Sequence, residues 1–515
     1  MYSCRRYIGF FVILLSTAVS VSLKAQTAWT AEAWITQAGG AQQLSSQAMQ
    51  SGSAANQCVT LNTGVTYQTI DGFGWTLTEA SAKLLMGLGA ASRTAVLNEL
   101  YNTETGLGVS IVRVAIGACD LSEYSYTYSA SEDAALTNFS VAGPDLTYVI
   151  PVLQEIRQIN PDVKILATPW TAPVWMKENT NGNNGYKGGN LKTACYSVYA
   201  QYFVKYLDIM QSCGLPVWAL SIQNEPLNGG NNPSMTWTKE TERTFIDNHL
   251  GPAMKSAGYD NVLIIGYDHN CDNTEFPLYV ARSKYVCGSA FHLYGGNIST
   301  LTFVHNQSGK DVFFTEQYTD VNGNAQGDFD WHIRNVMLGS VNNWSRCALE
   351  WNLASNPDCS IHTTGGSNTS KGALTINGNN LQSRNVSYWI VSTMSRVVRT
   401  NAQRIASSGA SDFLSAAFRN ADGSLAVVAY NTSGGSRQFS VSNNGNVATW
   451  QVPANAVISV LMTQDEPEDT ALQALYDNSA SADDTHSYNV LGQLVGNDCR
   501  GVIIKKGVKC RIIPN

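Results

Sequence analysis

The chain has 515 residues, of which 44% are hydrophobic and 14% are charged, so it is long enough for two or three domains or for one large α/β barrel with an attached domain. Its formal net charge of −7 and its pI near 5.5 argue against nucleic acid or an anionic membrane surface as a partner. The 12 Trp and 23 Tyr accompany Asn- and Gly-rich stretches. Aromatic faces beside amide groups suit sugars, although such rings also fill large cores.

The N-terminus has the pattern of an export signal. Arg5 and Arg6 precede the apolar run "YIGFFVILLSTAVSVSL", and Ala25 ends a sequence suited to cleavage. The run is too short and unsuitably flanked for a stable membrane span, and no later segment of the sequence reaches spanning length. We therefore expect residues 1–25 to be a signal peptide. The protein would then be exported to the periplasm, the cell surface or the medium, with no membrane span.

Residues 71–384 alternate short β-rich runs with longer helical patterns. The short runs are apolar and β-branched, as strands buried on both faces require, and the intervening patterns have the apolar spacing of helices. Eight strands with intervening helices predict a parallel (β/α)₈ TIM barrel, an α/β fold. The eight runs are "TIDGFGW", "VSIVRVAIG", "VKILATPWT", "VWALSIQNEP", "VLIIGYD", "GSAFHLYG", "DVFFTEQYT" and "RCALEWNL".

Antiparallel β patterning flanks the predicted barrel. Residues 385–464 alternate apolar and polar side chains across Gly and Asn turns, which is typical of a β-sandwich. The polar residues 26–70 contain a few β-like runs. We therefore expect a sandwich built mainly from residues 385–464, to which residues 26–70 contribute.

The C-terminal end divides into a linker and a small β-rich unit. Residues 465–485 are acidic and rich in Ser and Asp, as linkers are. Residues 486–515 have a hairpin-like pattern whose "LGQ…GVIIKKGVK" resembles the C-terminal sorting tails of secreted Bacteroidetes proteins, with an ordinary extra β segment as the alternative. The cysteines outside the signal are scattered without a CxxC pair, and a hairpin would most easily bring Cys499 to Cys510.

Two of the predicted strands end in a carboxylate. They are the fourth, "LSIQNE" at Glu225, and the seventh, "VFFTE" at Glu316. The C-terminal ends of parallel barrel strands form the active site, and a Glu there is costly unless it faces a polar cleft. Retaining glycosidases hold two carboxyl groups about 5–5.5 Å apart, and inverting enzymes hold them farther apart. We therefore expect a catalytic pair, although each Glu could instead pair with an Arg or cap the next helix. The residues alone leave open which one is the nucleophile.

Seven segments of the chain occur in the order found in glycoside hydrolase family 30. They are "DGFGWTLTEAS", "IVRVAIGACDLSEYSYTY", "ATPWTAPVWMK", "LSIQNEP", "FHLYGG", "FFTEQY" and "EWNLASNP". The chain resembles this family, which includes lysosomal glucosylceramidases and microbial endo-β-1,6-glucanases, over residues 56–463. The resemblance implies a retaining glycosidase that works through a covalent glycosyl-enzyme and requires no metal or other cofactor.

The resemblance also implies roles for nine residues. Glu225 matches the acid/base and Glu316 matches the nucleophile. Arg113 matches the cation that keeps the nucleophile ionised. Glu225 would then need a raised pKa, which apolar walls and a second carboxylate would supply. Six further residues match groups that bind or surround the sugar in the −1 subsite, and they are Asp120, Trp170, Asn224, His292, Tyr294 and Trp351.

Alternatives remain for several of these residues. Arg113 could belong to a structural ion pair, His292 could be a core imidazole and Trp351 could serve packing alone. Three aromatic residues are candidates for outer subsites, namely Trp175, Tyr186 and Trp237. Two residues depart from what many relatives have, namely Trp75 in place of Gly and Glu350 in place of Asp, and both bear on the shape of the subsites.

The loops after the third and fourth predicted strands indicate the substrate. "KENTNGNNGYKGGNLK" and "LNGGNNPSMTW" are polar, which suits a hydrated glucan better than ceramide. We therefore expect an endo-β-1,6-glucanase acting on a polysaccharide or oligosaccharide. Glucosylceramidase, β-glucosidase or glucuronoxylanase activity are alternatives, although only Lys371 and Arg384 would offer the basic clamp that glucuronoxylan requires. A non-catalytic surface glycan-binding protein is disfavoured because both glutamates are present, and a metal hydrolase is disfavoured because none of the seven His lies in an HExxH pattern.

Overall fold

The computed structural model describes residues 29–141 and 143–464, together with four short strands nearer the C-terminus. Trp29–Thr463 form one compact unit. The predicted signal peptide and acidic linker, and the side chains of Cys499 and Cys510, lie outside the described part of the chain.

A closed barrel of eight parallel strands forms the centre of the Trp29–Thr463 unit. Each strand overlaps one of the eight apolar runs identified in the sequence, so the predicted TIM barrel is confirmed. The barrel closes between the eighth and first strands, where Leu349 lies opposite Gly74. The strands, in chain order, are β1 (Gly72–Thr76), β2 (Ile111–Ala115), β3 (Lys164–Thr168), β4 (Ala219–Ser221), β5 (Leu263–Cys271), β6 (Val286–Gly296), β7 (Asp311–Glu316) and β8 (Ser345–Asn352).

Side chains alternate between the inside and the outside of the barrel because successive residues of a strand point to opposite faces. The inside is packed with a small apolar cluster to which most strands contribute, including Ile111, Leu166, Ile265 and Phe313. The outward-facing side chains join a much larger apolar cluster with the surrounding helices. The strands are therefore buried on both faces, as their nearly continuous apolar sequence predicts.

Helices surround the barrel. Thr78 begins the first of them as its N-cap, because its side chain accepts a hydrogen bond from Ser81 N–H at 3.1 Å. Gly309, at φ 66°, ends the helix before β7 in the left-handed conformation that glycine adopts without strain. The α-helices are Glu79–Gly87, Ala90–Tyr101, Ile150–Ile159, Tyr196–Ser212, Lys239–Phe245, Gly251–Ser256, Glu275–Val280, Thr300–Ser308, Ala325–His332, Leu338–Asn342 and Val386–Ser395.

The last of these helices differs from the sequence expectation, which assigned residues 385–464 to the sandwich. Val386–Ser395 is an almost wholly buried helix that packs against β1, where Trp75 Nε1 donates to Ser387 Oγ at 2.9 Å. Its sequence "VSYWIVSTMS" is apolar on most sides, and a short run of this kind fits a buried helix as well as a strand. The C-terminal strands of the sandwich therefore begin only at Gln403.

A ten-stranded β-structure packs beside the barrel, and an apolar core that includes Val59, Val427, Phe439 and Trp450 fills it. A further pairing joins Trp29–Gln37, the second strand in the order, to Gln47–Ser51, the last strand. This β-rich domain agrees with the predicted sandwich. Its strands are Trp29–Gln37, Gly40–Gln43, Gln47–Ser51, Gln57–Thr69, Gln403–Ser407, Phe413–Arg419, Leu425–Asn431, Arg437–Asn443, Asn446–Val452 and Val457–Gln464.

Short strands also form in the loops of the barrel. Lys177–Thr180 and Gly188–Leu191 make a hairpin after β3. Three further short pairings lie in the chain after β7 and β8, and their strands are Thr319–Asp320, Ala354–Ser355, Ser370–Lys371, Leu374–Asn377 and Asn380–Arg384. A separate small sheet near the C-terminus consists of Ser487–Asn489, Leu494–Val495, Val502–Lys505 and Val508–Arg511.

The sequence left the pairing of the cysteines open and predicted no membrane span. All eight cysteines between residues 29 and 464 are free thiols. Among the described residues, no helix combines the length and the apolar character needed to cross a membrane.

Candidate active site

Glu225 and Glu316 lie at the C-terminal end of the barrel, and both side chains are buried. Glu316 is the last residue of β7. Glu225 follows β4 in a turn where its own φ is 50°, a left-handed conformation that is uncommon for a residue other than glycine. A carboxylate oxygen of Glu225 lies within 4.8 Å of one of Glu316. This spacing fits the short separation of carboxyl groups in retaining glycosidases and not the separation of about 6.5–9.5 Å in inverting ones.

Arg113 lies on β2 and contacts three other groups of this site. Its buried guanidinium forms an ion pair with Glu316 and donates to Asn224 Oδ1 at 2.8 Å and to Asp268 Oδ2 at 3.0 Å. Burial lowers the pKa of Arg113, but the charges of Asp268 and Glu316 raise it further, so the pKa lies above its ordinary value. The guanidinium is therefore a permanent positive charge beside Glu316. Arg113 does form buried ion pairs, and one of its two partners is the candidate nucleophile.

Asp268, which the sequence reasoning did not identify, accepts hydrogen bonds from several groups of the site. Besides Arg113, Ser221 Oγ donates to it at 2.5 Å and Thr315 Oγ1 at 2.6 Å, and His292 Nε2 lies 3.1 Å from its Oδ1. Burial alone would raise the pKa of Asp268, but Arg113 and His292 hold it well below its usual range. Asp268 could have been identified from the sequence in the same way as the two glutamates, because the apolar run "VLIIGYD" also ends in a carboxylate.

The turn that presents Asp268 interrupts the regular pairing of β5. Tyr267 and Asp268 have φ values of 73° and 60°, and the register of β5 with β6 shifts between Tyr267 and His269. Such a bulge redirects a side chain. Glu242 supports it from the helix Lys239–Phe245 by accepting from Tyr267 N–H at 3.0 Å. Burial raises the pKa of Glu242 to about 8, so this carboxyl is neutral at physiological pH.

His292, on β6, lies between the two glutamates. Its Nδ1 is 3.3 Å from Glu225 Oε1 and 3.7 Å from Glu316 Oε1. Burial lowers the pKa of His292, but the Glu316 charge and the hydrogen bond with Asp268 raise it to about 10. The imidazole is therefore a cation among carboxylates rather than a neutral core side chain.

The pKa of Glu225 differs from the sequence expectation. Burial raises it, as expected, but the hydrogen bond and charge of His292, together with the amide of Asn228, lower it below its ordinary value. The expectation of a raised pKa considered apolar walls and Glu316 and did not include an imidazolium 3.3 Å away.

The remaining predicted residues surround this group. Tyr294 donates its hydroxyl hydrogen bond to Glu316 Oε1 at 2.9 Å. The rings of Trp170 and Trp351 lie 5.4 Å apart, and the Arg113 guanidinium lies 5.0 Å and 5.8 Å from their centroids. Asp120 follows β2, and its pKa is raised to about 7 by burial and by the charges of Glu316 and Glu225. All nine predicted residues therefore lie at this end of the barrel.

The three aromatic candidates for outer subsites differ in their surroundings. Trp237 is buried in an aromatic cluster, with its ring 5.8 Å from Tyr196 and 5.2 Å from Phe245, so it does not form an outer subsite. Trp175 Nε1 donates to Ser129 C=O at 3.0 Å, and the Tyr186 side chain is half-buried.

The two departures from the family pattern also face away from the glutamates. Trp75 is buried against the helix Val386–Ser395, where its ring stacks with Tyr388 at a centroid distance of 6.5 Å. Glu350 is buried and lies 2.7 Å from His332 Nδ1 on the helix Ala325–His332. Neither residue therefore alters the surface that faces the glutamates.

Glu225, His292 and Glu316 each present one atom that could act as a metal ligand, with these atoms within 4.8 Å of one another. A metal would have to displace the proton of a strongly basic imidazole and would lie beside the Arg113 charge. The donor set therefore suits proton transfer better than cation binding.

The sequence matches two family descriptions. Residues 70–368 match the "Glycosyl hydrolase family 30 TIM-barrel domain", and residues 401–460 match the "Glycosyl hydrolase family 30 beta sandwich domain". These two matches cover the barrel and the C-terminal strands of the sandwich.

Several individual proteins are similar. The chain is 34% identical to an endo-1,6-beta-D-glucanase of Aspergillus fumigatus over 75% of this chain and 86% of the relative. It is 29% identical to the lysosomal acid glucosylceramidase of Mus musculus over 58% of this chain and 62% of the relative. A solved structure described as an endo-beta1,6-glucanase aligns with a TM-score of 0.78 and 31% identity, covering 84% of this chain and 98% of the other.

Proposed function

The chain belongs to glycoside hydrolase family 30, and on this basis we propose that it hydrolyses β-1,6-glucan internally with retention of configuration. The observation that carries the proposal is the similarity to endo-1,6-beta-D-glucanases along nearly their whole length. The glucosylceramidases match over a smaller share of their length. Enzymes of this family hydrolyse with retention of configuration, and the short separation of the Glu225 and Glu316 carboxylates supports the same course here.

In the first step we assign the nucleophile to Glu316 and the acid to Glu225. A Glu316 oxygen attacks the anomeric carbon, and the bond from that carbon to the glycosidic oxygen breaks. Protonated Glu225 gives its proton to the departing oxygen, so the leaving sugar departs as an alcohol. Arg113 and Tyr294 both donate hydrogen bonds to Glu316 and so hold the attacking carboxylate in place.

In the second step, water replaces the departed sugar. Glu225, now ionised, takes a proton from the water. The water oxygen attacks the anomeric carbon at the same time, and the bond from that carbon to Glu316 breaks. Esterification has meanwhile removed the Glu316 charge, which is the largest influence that raises the pKa of His292. The imidazole therefore becomes less basic in the intermediate, and protons can redistribute between His292 and Glu225.

The polar and aromatic groups around the glutamates form the sugar-binding surface in this proposal. Asn224 accepts a hydrogen bond from Arg113, and we assign it to the 2-hydroxyl of the sugar, where hydrogen bonds strengthen in the transition state. Asp120 is assigned to the distal hydroxyls. Trp170 and Trp351 supply the apolar floor beneath the ring.

The loops support a hydrated glucan as the substrate. The hairpin Lys177–Thr180 with Gly188–Leu191 follows β3, and Thr236 of the loop after β4 donates from its N–H to Gly189 C=O at 2.8 Å. Together the two loops present mainly Asn and Gly, with Leu227 as an exposed apolar side chain among them, whereas a ceramide would need a larger apolar surface. A polysaccharide substrate is consistent with export, which we propose from the pattern of residues 1–25.

The test is to incubate the purified mature protein with linear β-1,6-glucan and follow the products over time by chromatography. β-1,3-Glucan, glucuronoxylan and glucosylceramide serve as parallel substrates. A ladder of β-1,6-linked oligosaccharides is expected. Glucose as the sole product would contradict internal cleavage, and turnover of another substrate without cleavage of β-1,6-glucan would contradict the assigned specificity.

A further inference from the structure

The loop that follows Glu225 folds back onto the carboxylate of that residue. Asn228 Nδ2 donates to Glu225 Oε2 at 2.7 Å, and Asn231 Nδ2 donates to the same oxygen at 3.1 Å. The Asn228 N–H also donates to the Glu225 carbonyl at 2.8 Å, which closes the turn. One oxygen of a buried carboxylate therefore receives two amide hydrogen bonds from its own loop.

The orientation of the Asn228 amide follows from its second contact. Gly230 N–H donates to Asn228 Oδ1 at 2.9 Å, so the oxygen of this amide faces Gly230 and its NH₂ group must face Glu225. A hydrogen bond from Ser234 Oγ to Asn231 C=O at 2.6 Å anchors the second half of the loop. Gly188 N–H in turn donates to Ser234 Oγ at 2.9 Å, which ties the loop to the neighbouring hairpin.

We propose that Asn228 and Asn231 are positioning residues for Glu225, which hold its Oε2, favour its ionised form and leave Oε1 to carry the proton. The proposal rests on the assignment of Glu225 as the acid/base. Amide donors stabilise a carboxylate and disfavour a proton on the oxygen that they contact. Oε1 is the oxygen that faces His292 Nδ1, so the proton site lies next to a group that can exchange protons with it.

The two steps of the reaction use this arrangement differently. In the first step Glu225 must be protonated, and the amides restrict that state to lower pH. In the second step Glu225 must be ionised, and the amides hold it ready as the base. The other titratable or charged groups around Glu225 are retained in the asparagine variants, and they are Arg113, Asp120, Asp268, His269, His292, Tyr294 and Glu316.

The test is Asn228→Asp, assayed by the pH dependence of kcat/KM on β-1,6-linked gluco-oligosaccharides. The new carboxylate still accepts from Gly230 N–H but replaces a donor to Glu225 with a like charge. Glu225 then stays protonated to higher pH, so we expect the alkaline limb to move up by about 1 pH unit or more. Asn231→Ala should move the limb in the same direction by a smaller amount, because it removes the longer of the two hydrogen bonds.

A kinetic split accompanies this shift. On an aryl glucoside with a good leaving group, the first step needs little acid, so kcat reports the second step. Asn228→Asp should lower kcat on that substrate at acidic pH, where more of Glu225 now carries a proton. If Asn228 had only a structural role, its substitution would lower the rates on the oligosaccharide and on the aryl glucoside alike, without moving the pH profile.

Asn98→Asp is the matched control, because it makes the same substitution on the helix Ala90–Tyr101, where the Asn98 amide donates to Thr94 C=O at 2.9 Å, away from Glu225. It should leave the profile unchanged. An unmoved alkaline limb in Asn228→Asp, or an equal movement in Asn98→Asp, would overturn the inference. If Asn228→Asp does not give a folded protein by circular dichroism, the profile of Asn231→Ala decides in the same way.

Glu225→Ala separates this inference from the function on which it rests. Removal of the acid/base should slow the poor-leaving-group substrate far more than the aryl glucoside, and added azide should partly restore turnover of the latter. If azide restores nothing, the role of Glu225 is wrong. If azide restores turnover but the Asn228→Asp profile is unmoved, only the role of the asparagines is wrong.

Discussion

At the scale of single residues, the site holds opposite charges in nearly equal number within a buried volume. Arg113 and His292 are cations, and Glu225, Glu316 and Asp268 are carboxylates. An unpaired buried charge costs several kcal/mol, so the cations and the carboxylates of this site stabilise one another. Asp268 contacts both cations and neither carboxylate, which makes it the group that holds Arg113 and His292 beside the glutamates.

Glu316→Gln tests the assigned nucleophile. The amide keeps the size of the side chain and can still accept a hydrogen bond from Arg113 through its oxygen, but it cannot form the covalent intermediate. We expect turnover of β-1,6-glucan to fall on the order of a thousandfold or more, while glucan binding and thermal unfolding change little. The measurements are initial rates, binding by calorimetry and a melting curve.

The control for this variant is Glu350→Gln on the adjacent strand β8. Glu350 is also buried, but its partner is His332 and it faces away from the glutamates. Activity should persist in this variant. A substantial residual rate in Glu316→Gln, or an equal loss in both variants, would contradict the nucleophile assignment.

At the scale of secondary-structure elements, the barrel was predictable and the turns that complete the site were not. Every barrel strand coincides with an apolar β-branched run, because a strand that is buried on both faces requires apolar side chains at nearly every position. The glutamates were found because each ends such a run. The bulge at Tyr267 and Asp268 was missed, because its left-handed backbone depends on a contact from Glu242 on a distant helix.

A buried lysine, Lys177, is one of the links between the loops after β3 and β4, and the sequence did not reveal it. Lys177 is buried, and its Nζ donates to Thr171 Oγ1 at 2.8 Å, to Gly185 C=O at 3.0 Å and to Ser234 C=O at 2.9 Å. It also donates to Tyr186 C=O at 3.1 Å. Burial lowers its pKa to about 7. The side chain thus donates to backbone carbonyls of both loops, two in the loop after β3 and one in the loop after β4.

Lys177→Met tests whether this link shapes the substrate cleft. The thioether fills similar space but leaves the carbonyls without a donor, at about 1–3 kcal/mol for each acceptor that water does not reach. We expect the loops to loosen, so that KM for β-1,6-glucan rises several-fold while kcat on a small aryl glucoside changes less. Lys192→Met is the control, because Lys192 donates to one carbonyl, Trp175 C=O at 2.9 Å, and should have a weaker effect. Equal effects of both variants on KM would contradict the link.

At the scale of the whole molecule, the N-terminal and C-terminal strands complete one β-rich domain beside the barrel. Gln57–Thr69 runs directly into β1, and it pairs with Gln403–Ser407 and Arg437–Asn443 from the other end of the chain. The alternating pattern predicted such a domain. The pairing of strands that are more than 300 residues apart could not be predicted, because alternation sets which face of a strand is buried and not which strand lies beside it.

Two truncations test where the functional unit ends. Removal of residues 465–515 keeps every strand of the compact unit, so melting temperature and activity on β-1,6-glucan should stay close to those of the longer protein. Removal of residues 453–515 also deletes Val457–Gln464, which pairs with Leu425–Asn431. That strand buries Val457, Ile458, Val460 and Met462.

The loss expected from the longer truncation is large compared with the stability of a domain. Four buried side chains at about 1.5–3 kcal/mol each amount to roughly 6–12 kcal/mol, and a domain is stable by about 5–15 kcal/mol in all. The shortened protein also leaves one side of the apolar strand Leu425–Asn431 without a partner, while its other side still pairs with Phe413–Arg419, and such an exposed edge favours aggregation. We therefore expect it to be insoluble or unfolded by circular dichroism. A soluble, active protein ending at residue 452 would show that the barrel does not depend on a complete sandwich, and inactivity of the form ending at residue 464 would place part of the function in the C-terminal region.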